Sequence, residues 1–112
     1  MKYLFSFLII SALLSCSKDT TVNIRLKNVS SSAFESTTFK NENYGELAPD
    51  QLSQYKQFES SYRYASFIVV ANGQTYDWLP IDYVGEDLLK SGDYTFELDI
   101  DQNSLSFVLV ED

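Results

Sequence analysis

Phe67-Ile68-Val69-Val70-Ala71-Asn72-Gly73-Gln74-Thr75-Tyr76-Asp77-Trp78 decides the fold of this chain. Phe67 to Ala71 is apolar at every position, as in a strand packed on both faces. Asn72-Gly73 is the strongest short hairpin signal, because both turn positions need positive φ. A two-residue loop fixes the register. It sets Ala71 against Gln74, Val69 against Tyr76 and Phe67 against Trp78. Those aromatic and aliphatic residues then share one face, with Thr75 and Asp77 on the other.

Working outward, strand patterns dominate. Val22, Ile24 and Leu26 alternate with Asn23, Arg25 and Lys27, the period of a half-buried strand. Asn28 to Ser32 reads as a polar turn and Ala33 to Lys40 as a second strand. Phe34 and Phe39 lie five apart, so they face opposite sides unless a bulge intervenes. Asn41-Glu42-Asn43 is expected to turn, Tyr44 to Leu47 to be extended, and Pro49-Asp50 to break it. Ser53 to Phe58 fits either a strand or one helical turn. The strand containing Phe67 is expected to begin at Ser61.

Pro80 cannot donate to a ladder, so Pro80 to Val84 leaves the sheet. Glu86 to Lys90 has room for one helical turn. Tyr94, Phe96, Leu98 and Ile100 then alternate with polar residues, and Leu105, Phe107 and Leu109 follow. The second hairpin is expected to pair Ile100 with Leu105, Leu98 with Phe107 and Phe96 with Leu109. Its loop is Asp101 to Ser104, because a shorter loop asks positive φ of Gln102. The expected fold is all-β: an antiparallel β-sandwich of about seven strands, immunoglobulin-like or transthyretin-like, over residues 22–112. Gly92-Asp93-Tyr94-Thr95-Phe96 resembles the Gly-x-Tyr-x-aromatic entry to a late strand in bacterial sandwich modules.

The N-terminal segment has a different character. After Lys2, Tyr3 to Leu14 is an uncharged run of 12 residues. A membrane-spanning helix needs about 20, so the run fits the apolar part of a secretory signal peptide. Its end, Leu13-Leu14-Ser15-Cys16, resembles the lipobox of bacterial lipoproteins, with Leu14 bulkier than the usual residue. That resemblance implies a signal peptide over 1–15 and acyl chains on Cys16, followed by a short tether to residue 21. Two or more chains are enough for stable anchoring without a spanning helix. Ser17 after the Cys is similar to the outer-membrane sorting pattern of enteric lipoproteins. Lys18-Asp19 resembles a surface-export tag, although Thr20 stands where such tags carry a second acid. Surface and periplasmic faces both stay open.

Composition narrows the chemistry. The 112-residue chain has 16 acids against 8 bases, no His and one Cys. Without His the usual general base and metal ligand are missing. One Cys forms no intramolecular disulfide. The net charge of −8 argues against a nucleic-acid partner. Cleavage before Cys16 leaves −9, all of it carried by residues 73–112, where Lys90 is the one base. Asp99-x-Asp101-x-Asn103 resembles the start of an EF-hand loop, but Ser104 and Val110 stand where Gly and Glu belong. Asp82, Glu86, Asp87 and Asp93 form a second acidic group. Both are better read as hairpin and solvated loop than as metal sites. Paired carboxylates can hydrolyse glycosides, yet the 96 residues after Cys16 leave little room for a buried cleft.

Tyr62, Tyr64, Ile68 and Val70 would share the face opposite Phe67 if one strand ran through them. They are a candidate partner surface unless residues 41–58 cover it. No catalytic residue and no cofactor is expected. The expected role is a non-catalytic binding or structural subunit, lipid-anchored in the outer membrane of a bacterial envelope. Its partners are the membrane through Cys16 and an envelope protein or glycan. A surface adhesin or carbohydrate-binding module, and a remote hydrolase, are the alternatives.

Overall fold

A computed structural model describes residues 20–80 and 87–112. The described residues form eight strands and no helix. These are β1 (Val22–Asn28), β2 (Ser36–Phe39), β3 (Glu42–Asn43), β4 (Lys56–Phe58), β5 (Phe67–Ala71), β6 (Gln74–Trp78), β7 (Gly92–Asp101) and β8 (Ser104–Glu111). They make two four-stranded sheets, ordered β4-β1-β7-β8 and β3-β2-β5-β6. The fold is an all-β sandwich. Every pairing is antiparallel except β1 with β7, which run parallel from Val22↔Gly92 to Asn28↔Leu98. The chain crosses to the other sheet and back twice between β1 and β7. They therefore meet without a hairpin, and the first sheet is mixed rather than purely antiparallel.

The β5–β6 register is the expected one, Ala71↔Gln74, Val69↔Tyr76 and Phe67↔Trp78, closed by positive φ at Asn72 and Gly73. The strand itself starts at Phe67 and not at Ser61. Residues 61–66 pass Tyr62 to a lone bridge with Leu88, so alternation from β5 does not extend back through them. The β7–β8 register is also as expected, but the loop is shorter. Asp101 pairs with Ser104, and Gln102 and Asn103 take φ of 51° and 67°. Two residues turning with positive φ match the twist of the flanking strands. That match outweighs the strain at Gln102. Lys40 and Asn41 do the same at 52° and 66°, so Phe39 pairs with Glu42. The turn lies one residue earlier than expected, and Glu42-Asn43 is strand. Lys56–Phe58 is strand as well, pairing β1. Asp87 to Lys90 bridges Tyr62 through Leu88 instead of forming a helical turn. Glu86 lies outside the described residues.

Both Phe34 and Phe39 are buried. Phe34 exchanges backbone hydrogen bonds with Leu47 (2.8 and 3.0 Å) before a bend at Glu35, whose N–H donates to Val70 O at 2.6 Å. The bend breaks the period, and both rings turn inward. The core is a row of aromatic contacts between the sheets. Phe39 lies 5.0 Å from Phe67 and 5.1 Å from Phe96 (centroid distances), with Phe58 at 5.7 Å. Phe107 continues the row, 4.8 Å from Phe67 and 4.8 Å from Trp78. Val22, Ile24, Leu26, Val69 and Leu98 fill the space around them.

Two buried polar residues on this frame differ in kind. The Asn28 amide donates to Ser32 O (2.7 Å) and Leu47 O (2.9 Å) and accepts from Ser30 N–H (2.8 Å) and Ser30 Oγ (2.7 Å). Thr37 Oγ1, equally buried, has no hydrogen-bond partner among the described residues. A buried hydroxyl without a partner costs roughly 1–3 kcal/mol, whereas an apolar group of the same shape does not. Thr37→Val is therefore expected to raise stability by about 1 kcal/mol, read as an upward shift of the urea midpoint. An unchanged or lower midpoint would mean that the hydroxyl is solvated.

Candidate functional site

At the end of the sandwich where β1 begins, the chain segments are stitched together. Gly92 N–H donates to Thr21 O at 3.1 Å, and Thr21 N–H donates to Ser91 Oγ at 3.1 Å. Leu89 N–H donates to Ser61 O at 2.8 Å, and Tyr94 Oη donates to Lys90 O at 2.8 Å. These bonds tie residues 87–90 to Ser61 and to β7, with Leu89 buried in the core, and beside them lies a cleft of about 500 Å³. Its apolar lining is Leu88, Leu89, Tyr94 and Leu109, and its charged groups are Arg63, Lys90, Asp87 and Glu111. Paired signs around an apolar floor suit a polar ligand or peptide segment that carries both charges. Among the described lining residues there is no nucleophilic Ser or Cys.

A second polar group occupies the outer face of the first sheet. Arg25 Nε donates to Thr95 Oγ1 at 3.0 Å, and Thr95 Oγ1 donates to the Asp112 carboxylate at 2.8 Å. Tyr55 Oη donates to Asp112 Oδ2 at 2.6 Å, and the Arg25 guanidinium lies 4.7 Å from the centre of the Tyr55 ring. The hydrogen bond to Asp112 raises the Tyr55 phenol above its ordinary pKa; desolvation and the Asp112 charge add to it, against Arg25. The parallel β1–β7 register places Arg25 beside Thr95. The group latches β8 and the 51–58 segment onto β1. Near it, burial pushes Tyr44 well above the tyrosine range, with Glu42 adding, and its hydroxyl donates to Ile24 O at 2.9 Å. Burial lowers Lys40, whose ammonium donates to Ser60 O at 2.9 Å.

The four residues of the candidate partner surface are not brought together as one face. Ile68 and Val70 lie half-buried on the outer side of the second sheet, between Thr38 and Asp77 and between Ser36 and Thr75. Tyr64 instead packs edge-on against Trp78 at 5.6 Å, and Trp78 belongs to the inward row. Of residues 41–58, Glu42–Asn43 pair with β2 at the edge of the second sheet, while Leu52 and β4 run along β1 in the other sheet. Asp99 and Asp101 sit in the β7–β8 ladder opposite Ser106 and Ser104, and Asn103 is in the turn. Among the described residues no three acids gather as metal ligands. Asp82 and Cys16 lie outside the described residues, as does Glu86. Sequence reading missed the Asn28 knot, whose one signal is an Asn two before Ser30 in a Ser-rich turn.

No family model matches the chain, and neither do the curated proteins or the solved structures compared with it.

Proposed function

We propose that this chain is a lipid-anchored protein of the bacterial cell envelope, held to the outer membrane by acyl chains on Cys16. It acts there as a non-catalytic binding or structural subunit. The observation that carries this reading is positional: the one Cys of the chain stands two residues after the end of its 12-residue uncharged run. The folded strands begin at Val22. Five residues thus separate the anchor from the sandwich, a reach of about 18 Å when extended. The cleft beside Thr21, with its paired charges, would then sit close to the bilayer and is the surface offered to an envelope partner. Acyl chains bury about 0.8 kcal/mol per methylene, which favours retention on one leaflet.

Cys16→Ser is expected to abolish labelling by a fatty-acid probe and to move the protein out of the membrane fraction. Undiminished labelling of that variant would overturn the reading. Co-purification of a membrane protein with the native lipidated chain supports the subunit role, whereas retention on a glycan array favours the adhesin alternative.

A further inference from the structure

The four sheet edges are treated unequally. β3 is two residues long, and both are exposed. β4 has three residues and carries Lys56. β6 has five, with exposed Asp77 near its end and Pro80 two residues beyond. Short strands, charges and Pro are the ordinary ways to stop an edge from pairing further. β8 is longer, has no Pro and carries its one charge at its last residue, Glu111. It runs for eight residues, and Ser104 to Val110 holds no charge and no Pro. Its outward residue Val108 is 61% exposed, the highest value among the large hydrophobic side chains described. β6 of the second sheet approaches β8 through Trp78, 4.8 Å from Phe107, and leaves a cleft of about 300 Å³ beside Asn103 to Leu105.

The backbone phase of that edge follows from the hairpin. The two-residue turn makes Asp101–Ser104 the closing hydrogen-bonded pair. Alternation then spends the N–H and C=O groups of Ser106, Val108 and Val110 on β7, and Asp112 N–H continues the phase to Asp93 O at 2.9 Å. The N–H and C=O groups of Leu105, Phe107, Leu109 and Glu111 point away from β7.

We propose that β8 is a docking edge and that its occupant is β8 of a second copy of this chain, antiparallel across a two-fold axis at Val108. In that register Phe107 faces Leu109 of the second copy, and Leu105 faces Glu111. These are the residues whose backbone groups point outward, so the edge is self-complementary over four residues a side. Val108 meets itself at a non-hydrogen-bonded position, where side chains approach most closely and β-branched pairs stabilise. Charge favours the same alignment. In a chain of net −8, the acids Glu111 and Asp112 fall opposite Leu105 and Ser104, so no acid meets an acid across the new ladder. The two first sheets would join into one sheet of eight strands.

The test uses the full-length chain in detergent. Sedimentation is expected to give a concentration-dependent dimer, and Val108→Lys, which sets like charges on the axis, to weaken it at least about tenfold. Circular dichroism should show the variant folded, because its backbone bonds to β7 are unchanged. Under mild oxidation Val108→Cys should cross-link, since directly opposed residues fall within disulfide reach. Ser106→Cys, which is offset from its own copy, and the unmodified chain should not. A monomer at all concentrations, a dimer indifferent to Val108→Lys, or equal cross-linking of both Cys variants would each overturn the proposal.

Discussion

Phe39→Ala is expected to lower the unfolding free energy by about 4 kcal/mol. Phe39 is fully buried at the end of a four-residue strand, and its ring touches rings from both sheets. Phe58 and Tyr44 contact it as well. Truncation removes one of the aromatic contacts between the sheets and leaves a cavity whose walls are stiff aromatic rings, which collapse poorly. A domain of this size holds roughly 5–15 kcal/mol in total. The variant should therefore unfold at a much lower urea concentration, with m nearly unchanged. Phe39→Leu keeps much of the volume and should cost less than half as much. Equal midpoints for the wild type and the Ala variant would mean that the sheets are held elsewhere.

The second large effect is expected at Asn28. Asn28→Leu keeps the side-chain volume but removes four hydrogen bonds at once. Ser32 O, Leu47 O, Ser30 N–H and Ser30 Oγ then lose their common partner. Leu47 O keeps the Phe34 N–H, and Ser30 Oγ keeps Ser32 O, so Ser30 N–H is the group left without its partner. Four lost hydrogen bonds at roughly 0.5–1.5 kcal/mol each give an expected loss near 3 kcal/mol in the same urea titration. Hydrogen exchange gives a sharper reading. Protection of the Phe34 and Leu47 amides, which pair with each other, should fall further than that of Val69 in the β5–β6 hairpin. A uniform drop across both would mean that the knot does not act locally.

Local pairings were legible in the sequence. Asn72-Gly73 fixed one hairpin, and alternation in β7 and β8 fixed the register of the other. The failures share a physical cause. Gln102 and Lys40 adopt positive φ because strand twist selects the turn, not the intrinsic preference of the residue. Phe34 and Phe39 both face inward because a bend at Glu35 resets the period. The parallel β1–β7 pair has no local signature, since its partners are 70 residues apart. The same limit applied to the candidate surfaces. Ile68 and Val70 were placed correctly by the alternation within β5, whereas Tyr64 lies before the strand and follows the ring of Trp78. The cleft depends on residues 61, 63, 87–90 and 109–111 meeting at one end, which no window of sequence contains.

The parallel pair also sets the order in which the molecule can assemble. β1 is synthesised first among the strands, yet it sits between β4 and β7 in the middle of its sheet. The segment that joins it to β7, residues 29–91, is about two thirds of the domain, and closing long loops is what slows all-β chains to the millisecond-to-second range. A chain emerging from its N-terminus cannot complete the first sheet until almost its last residue is available. Until then Val22, Ile24 and Leu26 lack their β7 partner. Completion of the first sheet is thereby deferred until the β7–β8 hairpin is available.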